Sequence, residues 1–322
     1  MPNSRLRALQ EVGVSIWLDD LSRQRIRSGG LSQLIAEDSV SGVTTNPTIF
    51  ATAFRDLDAY GQDLAAHRGM PIEDVVRSLM VADVTAACDV LAPAHQTSAG
   101  RDGFVSIEVD PRLAYDTQVT IGQAAELHRM VNRPNVLIKI PATEAGLTAI
   151  RESIAAGVSV NVTLIFSLER YRQVVDAYLA GLAQAAGAGL DLSRIHSVAS
   201  FFVSRVDTEV DQRLAAIGTP QAQAMAGRAA VANARLAYGA YRDVFTGPRF
   251  RALAAQGANP QRPLWASTGT KNPAYSDVKY VNELIAPDSV ITMPEKTLQA
   301  FADHGEVPGD TISAHIPEAA QV

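Results

Sequence analysis

The chain has 322 residues, 47% of them hydrophobic and 19% charged, which is globular composition with ample material for a large core. Its net charge of −6 and lack of any basic block argue against a nucleic-acid groove or an anionic membrane surface. The longest uncharged apolar stretch, residues 155–168, is shorter than the ~18 residues a membrane span needs.

The N-terminus carries Arg5 and Arg7 without an apolar run behind them, so no secretory signal is read. From there, eight short apolar runs follow one another: residues 15–19, 42–46, 104–108, 136–139, 159–165, 197–203, 264–267 and 290–293. Helical patterns separate them, at 114–131, 144–156, 168–187 and the Ala-rich 220–244. Parallel strands need crossovers of a dozen or more residues, usually helical, so this alternation predicts a single α/β domain over 1–322, a closed (β/α)8 TIM barrel with extra helices. Two intervals are longer than a simple strand–helix unit: 51–103, read as a helical insertion, and 207–262. The single cysteine, Cys88, sits at helical spacing among apolar residues; it excludes an intrachain disulfide and points to a cytoplasmic protein.

Residues capable of chemistry lie at or just past the ends of seven of the eight runs: Asp19, Asn46, Glu108, Lys139, Thr163, Arg205 and Lys271. In a (β/α)8 barrel those ends meet at one mouth, where the active sites of this fold are found. Lys139 stands out, in the apolar segment Val136-Leu-Ile-Lys-Ile-Pro-Ala142. A buried ammonium without a partner costs several kcal/mol or gives up its proton, and a neutral amine attacks carbonyls. The alternative is a strand-end lysine whose head reaches solvent.

Gly269-Thr-Lys271 lacks the glycine spacing of a phosphate-binding loop, so nucleotide binding is rejected. His67, His95, His128, His196, His304 and His315 are scattered, which suggests neither a metal site nor any other cofactor.

Five motifs, Gly42-Val-Thr-Thr-Asn-Pro-Thr48, Ser106-Ile-Glu-Val-Asp110, Leu137-Ile-Lys-Ile-Pro141, Asn161-Val-Thr163 and Ser200-Phe-Phe-Val-Ser-Arg205, closely resemble those of transaldolases. These are class I (Schiff-base) relatives of the aldolases in the pentose phosphate pathway. The motifs run in family order from about Asp19 to Met293, and the family's lysine lies on strand four, as Lys139 does in the count above. Where relatives commonly have Ala-Ser-Phe-Arg, this chain reads Ala266-Ser-Thr-Gly-Thr-Lys-Asn272, which makes Lys271 the expected substitute and resembles the longer bacterial branch. Members of that branch usually continue beyond the point reached by Val322, so the C-terminal helical end is expected to be incomplete.

The resemblance implies transfer of a dihydroxyacetone unit between sugar phosphates, with no cofactor or metal, by a monomer or homodimer. Lys139 would form the Schiff base, Glu108 would act through water, and Asp19 would move the hydroxyl proton. Thr44 and Thr163 would hold that water, while Asn46, Asn161 and Ser200 would bind the three-carbon fragment. Arg205, Lys271 and Ser267 would receive phosphate, and Phe202 would limit water beside the lysine. Simpler readings stand next to several of these. Glu108 can merely neutralise Lys139, one of Asp19 and Asp20 can cap a helix, and Arg205 can pair with Asp207. Thr44 and Asn46 can serve loop structure alone, and Phe202 can be a core aromatic. Two further functions compete: a lyase that releases dihydroxyacetone, and an inert sugar-phosphate binding barrel. Phe202 favours transfer, because related fructose 6-phosphate aldolases tend to have Tyr there.

Overall fold

The computed structural model describes residues 2–322 and turns each apolar run into a strand. These are β1 Ser15–Leu18, β2 Val40–Val43, β3 Phe104–Glu108, β4 Val136–Pro141, β5 Val160–Ile165, β6 Ser197–Phe202, β7 Arg262–Ala266 and β8 Val290–Met293. Each pairs in parallel with the next, and β8 pairs with β1, closing the expected (β/α)8 barrel.

The period-two geometry of a strand divides its side chains between two cores. One face packs on the helices through residues such as Ile16, Ile138, Ile140 and Val162. The other forms a separate apolar cluster that includes Trp17, Phe104, Leu137, Val198 and Leu264. A Cβ on Gly42 would lie 2.6 Å from the Trp17 ring, so glycine on β2 is what admits the indole.

An ion pair closes the barrel's N-terminal end. Asp102 accepts from Ser15 Oγ at 2.7 Å, from Trp17 Nε1 at 3.3 Å and from Arg262 at 3.2 Å. Such a network is far costlier to break than it is stabilising to form, so it fixes this end and leaves the other as the opening. Beside it, the rings of His95, Phe104 and His196 pack against one another.

The helices begin where side-chain caps satisfy their first N–H groups, each cap contributing about 1 kcal/mol. Asp116 caps Thr117–Val131, Thr143 caps Glu144–Ala155 and Ser167 caps Leu168–Gly187. The first therefore starts three residues later than its pattern predicts, after a short 3-10 turn at Pro111–Leu113. The Ala-rich pattern at 220–244 is two helices, Pro220–Gln223 and Ala229–Phe245. Gly227 separates them in the left-handed region at φ +73°, and its N–H donates to Asp211 at 2.8 Å.

Between β2 and β3 lie the helices Pro47–Ala53, Leu57–Ala66 and Ile72–Thr97. Asp83 anchors the longest, accepting from Arg23 Nε at 2.7 Å and Tyr60 Oη at 2.6 Å. Cys88 is buried in the same helix, and burial pushes its thiol up to about 12, which makes it inert near neutral pH. After β8 come Glu295–His304 and the short Ile316–Ala319. Among the described residues no helix is long and apolar enough to cross a membrane.

His196 links this packing to pH. Burial, helped by the nearby charges of His95 and Arg262, pushes its imidazole down to about 4. The unfolded chain, near 6.5, therefore takes up a proton first as pH falls. Stability is unaffected by this group above about 6.5 and declines from there toward about 4. Thermal melts at pH 7 and pH 5 should show a drop in Tm larger in the wild type than in His196→Phe, by about 2–4 °C for each kcal/mol of proton linkage removed. Equal drops would show that His196 does not contribute.

Candidate active site

At the C-terminal mouth of the barrel a cavity of about 460 Å³ is lined by every residue expected from sequence to have a catalytic or substrate-binding role, except Asn161. Strand register puts the central groups side by side. Glu108 on β3 pairs with Lys139 on β4, which pairs in turn with Asn161 on β5.

Lys139 is only 8% exposed, which rules out a head that reaches bulk solvent. Its Nζ lies 3.5 Å from Glu108 Oε2 and donates to the Thr45 carbonyl at 2.9 Å. Burial holds the Glu108 carboxyl above the usual carboxylate range, against the pull of Lys139, and the charge of Asp19 pushes it the same way. A carboxyl so displaced can give and take a proton nearer neutral pH, as general acid–base catalysis requires.

Asp19 follows β1, half-buried, and its Oδ1 accepts from Thr44 Oγ1 at 2.8 Å. Asp20 turns away to Arg25, with Arg25 Nη2 donating to it at 2.8 Å and to Glu295 at 2.7 Å. The two aspartates are thus placed differently: Asp19 lines the cavity, and Asp20, through Arg25, ties the loop after β1 to the helix after β8. Ser22, rather than either aspartate, caps the helix Arg23–Arg27.

Asn46 both lines the cavity and caps Pro47–Ala53, its Oδ1 accepting from Thr48 and Ile49. The turn role and a substrate role are thus compatible, since the amide nitrogen is not used by the cap.

Asn161 departs from the expectation of direct substrate contact. It is fully buried, donating to Ser106 Oγ at 2.9 Å and accepting from Ser200 Oγ at 2.7 Å. The amide lies under the cavity, and Ser200, equally buried, is the member of that chain which lines it. Two residues in this layer escaped sequence reasoning, Thr45 and Ser106. Both are small polar side chains in apolar surroundings, and nothing in their spacing distinguishes them from ordinary strand-end residues.

Irregular backbone shapes the rim. The β5–β6 register shifts between Val162 and Ile165, and Leu164 sits at φ 62°. Bulges of this kind commonly re-aim side chains beside active sites. Here Thr163 lines the cavity, and Phe166 packs against Phe202 with ring centroids 5.1 Å apart. Arg205 also stacks on Phe202, its guanidinium carbon 4.9 Å from the ring centroid.

The alternative pairing of Arg205 with Asp207 does not occur. Asp207 is buried and accepts from the Ala230 N–H and the Tyr280 hydroxyl. Among the described residues neither Arg205 nor Lys271 forms a salt bridge, and both line the cavity. Ser267 joins them on the rim at φ 58°, its hydroxyl 2.9 Å from that of Ser204. Two unpaired cations and a hydroxyl gather at one edge, a donor set whose chemistry suits an anion, while the buried amine and the Glu108 carboxyl lie deeper. Among the described residues no group of three or more His, Cys, Asp or Glu side chains is arranged to hold a metal ion.

Fold and site together define a class: a (β/α)8 barrel built around a shielded amine with a carboxyl group beside it. Comparison with known proteins is more specific. The family model for transaldolase/fructose-6-phosphate aldolase matches residues 16–321. The chain is 61% identical to Transaldolase 1 of Streptomyces avermitilis, across 98% of this chain and 84% of that protein. It is 60% identical to a transaldolase of Mycolicibacterium paratuberculosis, across 99% and 87%. A transaldolase of Thermobifida fusca is 59% identical, across 98% and 86%. The chain belongs to the transaldolase/fructose-6-phosphate aldolase family.

Proposed function

We propose that this enzyme is a transaldolase, moving a dihydroxyacetone unit from sedoheptulose 7-phosphate or fructose 6-phosphate to glyceraldehyde 3-phosphate or erythrose 4-phosphate. The observation that carries this reading is the meeting of Lys139, Glu108 and Asp19 in one cavity with two unpaired cations at its rim. The single buried cysteine and the phosphorylated substrates support a cytoplasmic location.

The residues divide the work as follows. Lys139 attacks the C2 carbonyl of the donor, and the carbonyl oxygen gains a proton to give a carbinolamine. Glu108, acting through a water held by Thr44 and Thr163, protonates the departing hydroxyl; water leaves and an iminium forms. Asp19 takes the C4 hydroxyl proton as the C3–C4 bond breaks, and the electron pair moves into the iminium to give an enamine. An aldose phosphate departs, and the acceptor aldehyde enters the same place. The steps then run in reverse, with Asp19 returning its proton to the new C4 oxygen.

Asn46 and Ser200 hydrogen-bond the three-carbon fragment, and Asn161 acts behind Ser200. Arg205 and Lys271, with Ser267, bind the phosphate at the rim of the same cavity. Phe202, backed by Phe166, keeps a hydrophobic wall beside the enamine, which supports transfer over release.

Borohydride reduction in the presence of fructose 6-phosphate should leave a dihydroxyacetone-derived adduct on Lys139, located by peptide mass mapping. Consumption of fructose 6-phosphate should require an added aldose phosphate; steady release of free dihydroxyacetone without one would favour the lyase reading. No adduct on the folded protein would defeat both.

Arg205→Ala should raise KM for phosphorylated donors on the order of tenfold to a hundredfold, the loss of a charge-assisted contact. Transfer of dihydroxyacetone to an unphosphorylated aldehyde should change far less. Similar losses in both assays would remove Arg205 from the phosphate site.

A further inference from the structure

The turn after β2 gives three successive residues three different tasks. Thr44 donates to Asp19, and Asn46 caps the following helix. Thr45 points the other way. It is fully buried, and its hydroxyl donates to the Ser106 carbonyl on β3 at 2.7 Å. Its own carbonyl accepts from Lys139 Nζ at 2.9 Å, closer than the Glu108 carboxylate at 3.5 Å.

We propose that Thr45 is a positioning residue for the nucleophile: its carbonyl, locked by the hydroxyl bond to Ser106, holds one N–H of Lys139 through the amine, carbinolamine and iminium stages. The inference rests on the Schiff-base reading above. A backbone carbonyl accepts and never donates. The bond therefore turns one N–H toward Thr45 and leaves the nitrogen's remaining valences facing the cavity. Unlike Glu108, this partner takes no part in proton exchange, so it stays in place while protons move.

The balance of the reaction makes such a partner useful. Nζ forms a bond to C2, the C2–O bond breaks as water leaves, and the nitrogen keeps a single N–H and a positive charge. Glu108 is occupied with the departing water at that stage. The Thr45 carbonyl then offers its negative dipole end to the remaining N–H, where charge develops in a water-poor site. It acts without reorganising, because Ser106 already holds it.

Thr45→Val removes the locking hydroxyl with little change of shape, and Thr45→Ser keeps it. In transfer from fructose 6-phosphate to glyceraldehyde 3-phosphate, Thr45→Val should lower kcat on the order of tenfold with KM little changed. Borohydride trapping on Lys139 should slow in parallel, and Thr45→Ser should restore both. Thermal melts establish that each variant is folded; should Thr45→Val not fold, Thr45→Ala removes the same hydroxyl and carries the same expectation. An adduct in the wild type, together with unchanged kcat and trapping in a folded variant lacking the hydroxyl, overturns the inference while leaving the Schiff base standing. So does a loss that Thr45→Ser fails to restore. No adduct in the wild type defeats the underlying reading instead.

Discussion

A primary amine held almost out of solvent is the constraint around which this barrel is organised. An ammonium of that kind needs partners, and strand register supplies one by placing Glu108 directly beside Lys139. The other comes from the turn after β2, through the Thr45 carbonyl. The two partners differ in kind. The carboxyl is a group that can exchange protons, and burial raises its pKa against the pull of Lys139. The carbonyl only accepts, and in the proposed role it would orient the nitrogen through each change in its charge.

The same polarity runs along the barrel axis. At the N-terminal end the charged groups are matched, with Arg262, Asp102 and Ser15 bonded to one another. Trp17, Phe104, Leu137 and Leu264 fill the lumen above them. In the next layer the fully buried Asn161 is bonded to Ser106 and Ser200. Groups without protein partners occur at the rim, where Arg205 and Lys271 face the cavity.

Much of this was legible in the residues because strand alternation and barrel topology are strong rules. A lysine in an apolar run, with carboxyls at the ends of neighbouring runs, can be read from spacing once closure is assumed. What spacing does not carry is competition among polar groups for one another. Asp19 and Asp20 differ only in which of them Arg25 captures, a contact made with a residue five positions on and reinforced from Glu295. Asn161 looks like a ligand until Ser106 and Ser200 are seen to satisfy it. Thr45 contributes through its backbone carbonyl, which no side-chain pattern reports. The break at Gly227 was hidden by alanines on either side that suit a helix equally well.

Whether such a site transfers or releases its three-carbon fragment depends on the lifetime of the enamine, and so on how water is handled next to Lys139. Phe202 bears on this twice. Its ring, 8% exposed, forms part of the wall, and it also carries the Arg205 guanidinium on its face. Stacking on an aromatic orients a guanidinium without using its N–H donors, leaving them for phosphate. On the proposed reading, a phosphate bound there would bring the acceptor sugar over the same ring and displace solvent from the mouth. Exclusion of water and recognition of the second substrate would then follow from one contact, coupling the persistence of the enamine to the arrival of the aldehyde that consumes it.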